Sequence, residues 1–179
     1  FLKAFVDGLH NPSARPTADD WINALVKTVD LTQPCRNPSC LQKWFVFDNK
    51  SKPRCPFCGS SFQGALPILN LYSSGREGKF RPDNHRLMVY SGQSLFQWHT
   101  NRHVFPNEKL TAAQTKRVGY FVLHNGTWYL VNEDLPELQV VGSKTNIAIG
   151  EKVALTEGLQ LLFSKQEGGR LASVQIANA

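Results

Sequence analysis

The chain has no apolar run long enough to cross a membrane, no secretory signal pattern, no low-complexity tract and no clear internal repeat. A formal charge of +6 and a pI near 9.3 are spread out, with no block of five like charges. A basic tail is thereby excluded, while nucleic acid and acidic partners both stay open. Also missing are G-x-S-x-G, H-E-x-x-H, the P-loop and the dinucleotide fingerprint, so catalysis by this chain is not expected. His99 and His103 stand four apart in a strand-to-loop stretch, where that spacing does not align ligands, and no acid or nucleophilic cysteine accompanies them. A structural or surface role is expected for both, and exposure for His124, which precedes an Asn-Gly turn. A cytoplasmic chain without small-molecule substrate is the resulting expectation. It opens without Met on Phe1-Leu2-Lys3-Ala4-Phe5-Val6, as though inside a helix, which reads as a fragment of a longer protein.

What is present begins with composition. At 179 residues, 41% hydrophobic and 11% aromatic, the chain can bury a real core, as one domain or two small ones. Its most informative stretch holds all four cysteines, Cys35, Cys40, Cys55 and Cys58, set as C-x4-C and C-x2-C with fourteen residues between. Two close pairs joined by a short excursion offer four thiolates to a tetrahedral zinc ion. Gly59 follows the last ligand, where the backbone must turn under the metal and a positive φ is easiest without a Cβ. The alternative is a pair of disulfides, disfavoured by C-x-x-C in a chain without a secretory signal. Four sulfurs leave no open position for a catalytic water, so Zn2+ is expected to be structural.

Residues 1–30 read as two helices separated by the Asn11-Pro12-Ser13-Ala14-Arg15-Pro16 break. Thr17 with Asp20 forms a near capping box, and Trp21, Ile22, Leu25, Val26 and Val29 recur at helical spacing, predicting a buried face. The string Phe5-Val6-Asp7-Gly8, Asn11-Pro12, Arg15-Pro16-Thr17-Ala18-Asp19-Asp20-Trp21 and Leu25 resembles the end of a eukaryotic-type Ser/Thr protein kinase domain. Arg15 matches an arginine that in that family pairs with a buried glutamate. The glycine-rich loop, phosphate-binding lysine, catalytic loop and metal-binding aspartate of such kinases have no counterpart here, so the resemblance implies a non-catalytic tail.

Between the cysteine pairs, residues 41–54 predict a β-hairpin, an apolar strand followed by a basic return. Trp44 and Phe47 with Lys43, Lys50, Lys52 and Arg54 fit a single-strand nucleic-acid surface. The plainer reading, that the aromatics cover a small core and the lysines are solvated, is preferred. Residues 66–84, with Gly75-Arg76-Glu77-Gly78-Lys79 at the centre, look like a connector, but Leu66, Ile68, Leu69 and Leu71 are too apolar for a free linker, so a strand or an extended arm packed on a neighbouring domain is expected.

Residues 85–179 carry short β-prone runs with turn signals, predicting an antiparallel β-sandwich. Asn125-Gly126 supplies the positive φ of a type I′ hairpin between Phe121–Leu123 and Trp128–Leu130. That hairpin, the W-Y-L strand and Ile149–Leu161 are similar to the second half of a forkhead-associated (FHA) domain, a phosphothreonine reader. At the family's S-R-x-H position stands Lys116-Arg117-Val118-Gly119, and at its N-G-T position Glu137-Leu138-Gln139. Ordinary phosphothreonine binding is therefore not expected. A residual anion site would rest on Lys116 and Arg117.

The fold expected is thus mostly β, with a helical kinase-domain tail at 1–30, a zinc ribbon at 31–65, the connector at 66–84 and an FHA-like sandwich at 85–179. This order resembles the C-terminal region of bacterial kinases in the tellurite-resistance phosphorylation triad, beside a 2C-type phosphatase and a von Willebrand factor A protein. The resemblance implies a docking module whose partner is the von Willebrand factor A protein, reached through a loop acid that completes the partner's metal. Asp48, Glu133 and Asp134 are the candidates. A zinc-ribbon nucleic-acid binder is the alternative.

Overall fold

The computed structural model describes residues 1–48, 53–76 and 78–177. Asn49, Lys50, Ser51, Lys52 and Glu77, part of the readings above, lie outside the described residues. No helix among the described residues is long and apolar enough to cross a membrane.

The chain starts with a π-helical turn (Lys3–Asp7) and a 3-10 turn (Pro12–Ala14), then helix α1 (Ala18–Asp30). The capping box at its start is formed: the Thr17 hydroxyl accepts from the Asp20 N–H at 3.1 Å, and Asp20 accepts from the Thr17 N–H at 3.0 Å. Arg15 donates to the Gly8 and Leu9 carbonyls, tying the two segments together. Only part of the expected apolar face is covered. Trp21, Ile22 and Val26 are half-buried, whereas Leu25 and Val29 are 58% and 64% exposed. The stripe that meets the rest of the molecule includes Lys27 and the buried Asp30, polar residues that hydrophobic periodicity does not register.

Strands β1 (Thr32–Pro34) and β2 (Trp44–Val46) pair antiparallel as a small sheet. Of the hairpin expected within 41–54, the described part pairs backwards onto β1, and Arg54 bridges instead to Ser61. Phe45, Phe47 and Phe62 are buried beneath the cysteines, while Trp44 leans out and meets the Tyr90 ring edge-on at 5.1 Å.

Residues 66–84, expected as a connector packed as a strand or extended arm, lie in two of the longest strands. β3 (Leu66–Arg76) and β4 (Lys79–Met88) belong to a six-stranded antiparallel sheet ordered β4-β3-β12-β11-β8-β9, with β8 (Gln139–Val140), β9 (Thr145–Asn146), β11 (Gln160–Leu162) and β12 (Arg170–Ala177). β3 hides its pattern because consecutive residues Ile68 and Leu69 are both buried, which removes the alternation of a half-exposed strand. Between β3 and β4 the register jumps from Leu71 opposite His85 to Tyr72 opposite Pro82, so Asp83 and Asn84 bulge out of the ladder.

The second sheet is four-stranded, β10-β7-β6-β5, with β5 (Ser94–Phe96), β6 (Arg117–His124), β7 (Thr127–Asn132) and β10 (Lys152–Ala154). The β6–β7 turn is the Asn125-Gly126 pair, at φ 49° and 77°. Both sheets share one core, which includes Leu69, Leu71, Leu161 and Val174 from the larger and Leu95, Phe121 and Leu130 from the smaller. One edge of this two-sheet body ends in β4 and β5, and the short helix α2 (Gln97–Thr100) follows β5 directly. Helix α1 packs along β4 at that edge.

Candidate metal centre

The four cysteine sulfurs all lie within 4.8 Å of one another. Cys35 and Cys58 are 3.5 Å apart, Cys40 and Cys55 3.9 Å. A disulfide needs about 2.05 Å, so none of these contacts is one, and all four cysteines are free. A tetrahedral Zn–S distance of about 2.3 Å places sulfurs about 3.8 Å apart, and the two measured separations bracket that value. The donor set therefore fits a metal ion such as zinc.

Local chain geometry explains the convergence. The Cys35 N–H donates to the Lys43 carbonyl, Cys40 N–H to Asn37 and Cys55 N–H to Ser60, closing a tight turn around each pair. Gly59 sits at φ 73°, and the Arg54 Nε donates to its carbonyl at 3.0 Å. A side chain at position 59 would be strained by that φ and would press on the Arg54 guanidinium. Ser60 is the accessory group that spacing did not reveal: its hydroxyl lies 3.3 Å from both Cys35 and Cys58.

The sulfurs differ in their readiness to ionise. Ser60, through its hydroxyl and then its N–H, brings the Cys58 thiol down to about 6. The same hydroxyl lowers Cys35, while burial pushes Cys40 up to about 12. A dication held by the four sulfurs would overcome the last barrier by binding the thiolate, and its uptake at neutral pH would release protons. Bound by all four sulfurs, such an ion would have a closed tetrahedral shell with no position for a catalytic water.

Sequence reasoning missed a second cluster. Asp30, the last residue of α1, accepts from His85 Nε2 on β4 at 2.5 Å and from His99 Nε2 on α2 at 3.1 Å. All three are at least nine-tenths buried. The tautomer of His99 follows from its other nitrogen, which accepts the Phe96 N–H at 3.0 Å and leaves the proton on Nε2. Burial works to raise the Asp30 carboxyl, but the hydrogen bonds from His85 and His99 outweigh it and hold the group below its usual range. Burial pulls His85 below the ordinary histidine value despite the carboxylate beside it. Asp30 thus clamps α1 across the β4 and β5 edge. Beside it Asp83 receives Arg170 at 2.6 Å and the Ser73 hydroxyl at 2.5 Å, and Arg170 also donates to the Trp98 carbonyl. Gln33 of β1 completes the joint by donating to the Met88 and Val89 carbonyls.

The remaining sequence-selected residues fall in separate places. Arg117 and Glu133 come together as a two-pronged ion pair, at 2.5 and 2.6 Å, with the guanidinium also over the Tyr120 ring. Asp48 takes Arg86 at 2.7 Å. Asp134 is exposed on the turn after β7 and has no ion pair among the described residues, while Glu137 accepts from the Ser164 hydroxyl and the Lys165 N–H. His103 is exposed.

Comparison with known proteins finds no matching family, no similar curated protein and no similar solved structure.

Proposed function

We propose that this chain is the non-catalytic, zinc-containing C-terminal region of a bacterial Ser/Thr protein kinase. In this reading the two-sheet body is an FHA-like module that docks a signalling partner of the von Willebrand factor A type in a stress-linked, tellurite-associated phosphorylation system. The Arg15 to Trp21 string and the order of helix, cysteines and sheets support the kinase assignment. The observation that carries the docking reading is the Arg117–Glu133 pair. An internal carboxylate fills the guanidinium fork that an incoming phosphothreonine would need, which favours protein docking over phosphopeptide reading. Asp48 and Glu133 are both held by arginines, so of the three loop acids Asp134 is the one poised to complete a partner's metal.

Titration calorimetry of the zinc-loaded chain with a von Willebrand factor A domain protein of such a system, with and without added Mg2+, tests the proposal. Binding should require Mg2+, survive moderate salt, and weaken about tenfold or more in Asp134→Asn, with Asp48→Asn unchanged. Binding only to nucleic acid, falling steeply with salt, would overturn it in favour of the zinc-ribbon nucleic-acid reading.

A further inference from the structure

A cavity of about 290 Å³ opens where α1 passes the bulge between β3 and β4. Its lining is rich in donors whose capacity is unused. Among the described residues, half-buried Lys27 reaches only the Asp83 carbonyl, at a long 3.4 Å. Arg86 spends Nη1 on Asp48 and, among the described residues, leaves Nε and Nη2 without a partner. The Asn70 amide has one long contact, 3.4 Å to Gln175. The Tyr72 hydroxyl and the Asn84 side chain form no hydrogen bond among the described residues, and the bulge sets Asn84 at φ 47° on the cavity wall. Against these donors the described lining sets one carboxylate, Asp48, already turned to Arg86.

We propose that this cavity binds a phosphate monoester. Two cations and three neutral donors around a half-enclosed space exceed what a carboxylate's two oxygens can use, and match three terminal oxygens carrying close to two charges. Arg86 can take two of those oxygens on its free edge without releasing Asp48, Lys27 supplies the second positive charge, and Asn70, Tyr72 and Asn84 fix orientation. The site is separate from the Arg117–Glu133 pair and owes nothing to docking through Asp134.

The test is an amide NMR titration of the zinc-loaded chain with inorganic phosphate at constant ionic strength, followed by O-phosphothreonine and AMP. Saturable shifts at residues 70–72 and 84–86 are expected, and whichever ester binds tighter than inorganic phosphate identifies the source of the group. The double variant Lys27→Gln with Arg86→Gln should weaken binding about tenfold or more. Tyr72→Phe, which removes only a hydroxyl, should weaken it about threefold, and Arg117→Gln should leave it unchanged. Shifts that follow ionic strength alone, saturation unaltered in the double variant, or loss of binding in Arg117→Gln would overturn the proposal.

Discussion

The molecule is tied together at two polar knots built on opposite plans. The cysteine knot draws its four sulfurs from one stretch of 24 residues, from Cys35 to Cys58. The Asp30 knot draws on partners 55 and 69 residues away and joins three elements that share no local sequence. The first gathers four free thiols that a metal ion such as zinc would hold together. The second depends on the fold itself, which brings two imidazoles to a buried carboxylate. A local knot is therefore expected to fail alone, and a distributed knot to fail with the docking of α1.

The largest effect separating them is loss of the metal. Zinc binding contributes about 10–16 kcal/mol in small zinc-dependent folds, so Cys55→Ser, or chelation, should unfold residues 31–65 and leave the two-sheet body folded. Hydrogen exchange should show full loss of protection at Thr32–Pro34 and Trp44–Val46, with β3, β6, β7 and β12 still protected. A ribbon that stays structured without metal would break the comparison.

Next in size is Asp30→Ala. It strands two buried imidazole N–H donors, a change on the order of 2–6 kcal/mol at about 1–3 kcal/mol per unsatisfied donor. The expected outcome is loss of protection along α1 while zinc stoichiometry, measured by metal analysis, stays at one per chain. Zinc lost together with the helix would merge the two knots into one.

The smallest effect is graded with pH. His85 in the folded chain lies below the ordinary 6.5, so the unfolded chain takes up its proton first and stability declines as pH falls below about 6.5. Asp30 is held below 3.8; its contribution is present above that value and lost as pH falls further. Charges facing the knot are Arg170 with its partner Asp83, and Lys27 on α1. Urea midpoints measured from pH 7.5 down to 5 should fall for the parent chain and stay flatter in His85→Gln. Equal slopes would remove His85 from the account.

How much of this was legible in the sequence follows from the same contrast. Cys35, Cys40, Cys55 and Cys58 announce themselves because their ligand geometry is encoded at short range. Thr17 with Asp20, and Asn125 with Gly126, were legible for the same reason, since capping and turn chemistry act over a few residues. β3 was legible as a packed strand or arm from Leu66, Ile68, Leu69 and Leu71, but its central place in the sheet was not, because burial on both faces erased its alternation, and Asp83 and Asn84 interrupt the pattern of β4 with a bulge. His85 and His99 carried no signal because their acid is distant in the chain. Leu25 and Val29 misled, since their spacing matched a buried stripe while the helix docks through Lys27 and Asp30.

The placement of Asp30 at the C-terminal end of α1 also sets an order of assembly. A carboxylate there opposes the helix dipole, so α1 gains little from forming before His85 and His99 are in position. His85 sits on β4, whose partner β3 must in turn pair with the distant β12, and His99 sits on α2 after β5, which pairs with β6 across residues 97–116. The helix is thus a late arrival, clasped onto an edge already built, and a substitution at Asp30 should speed unfolding while leaving the folding rate nearly untouched.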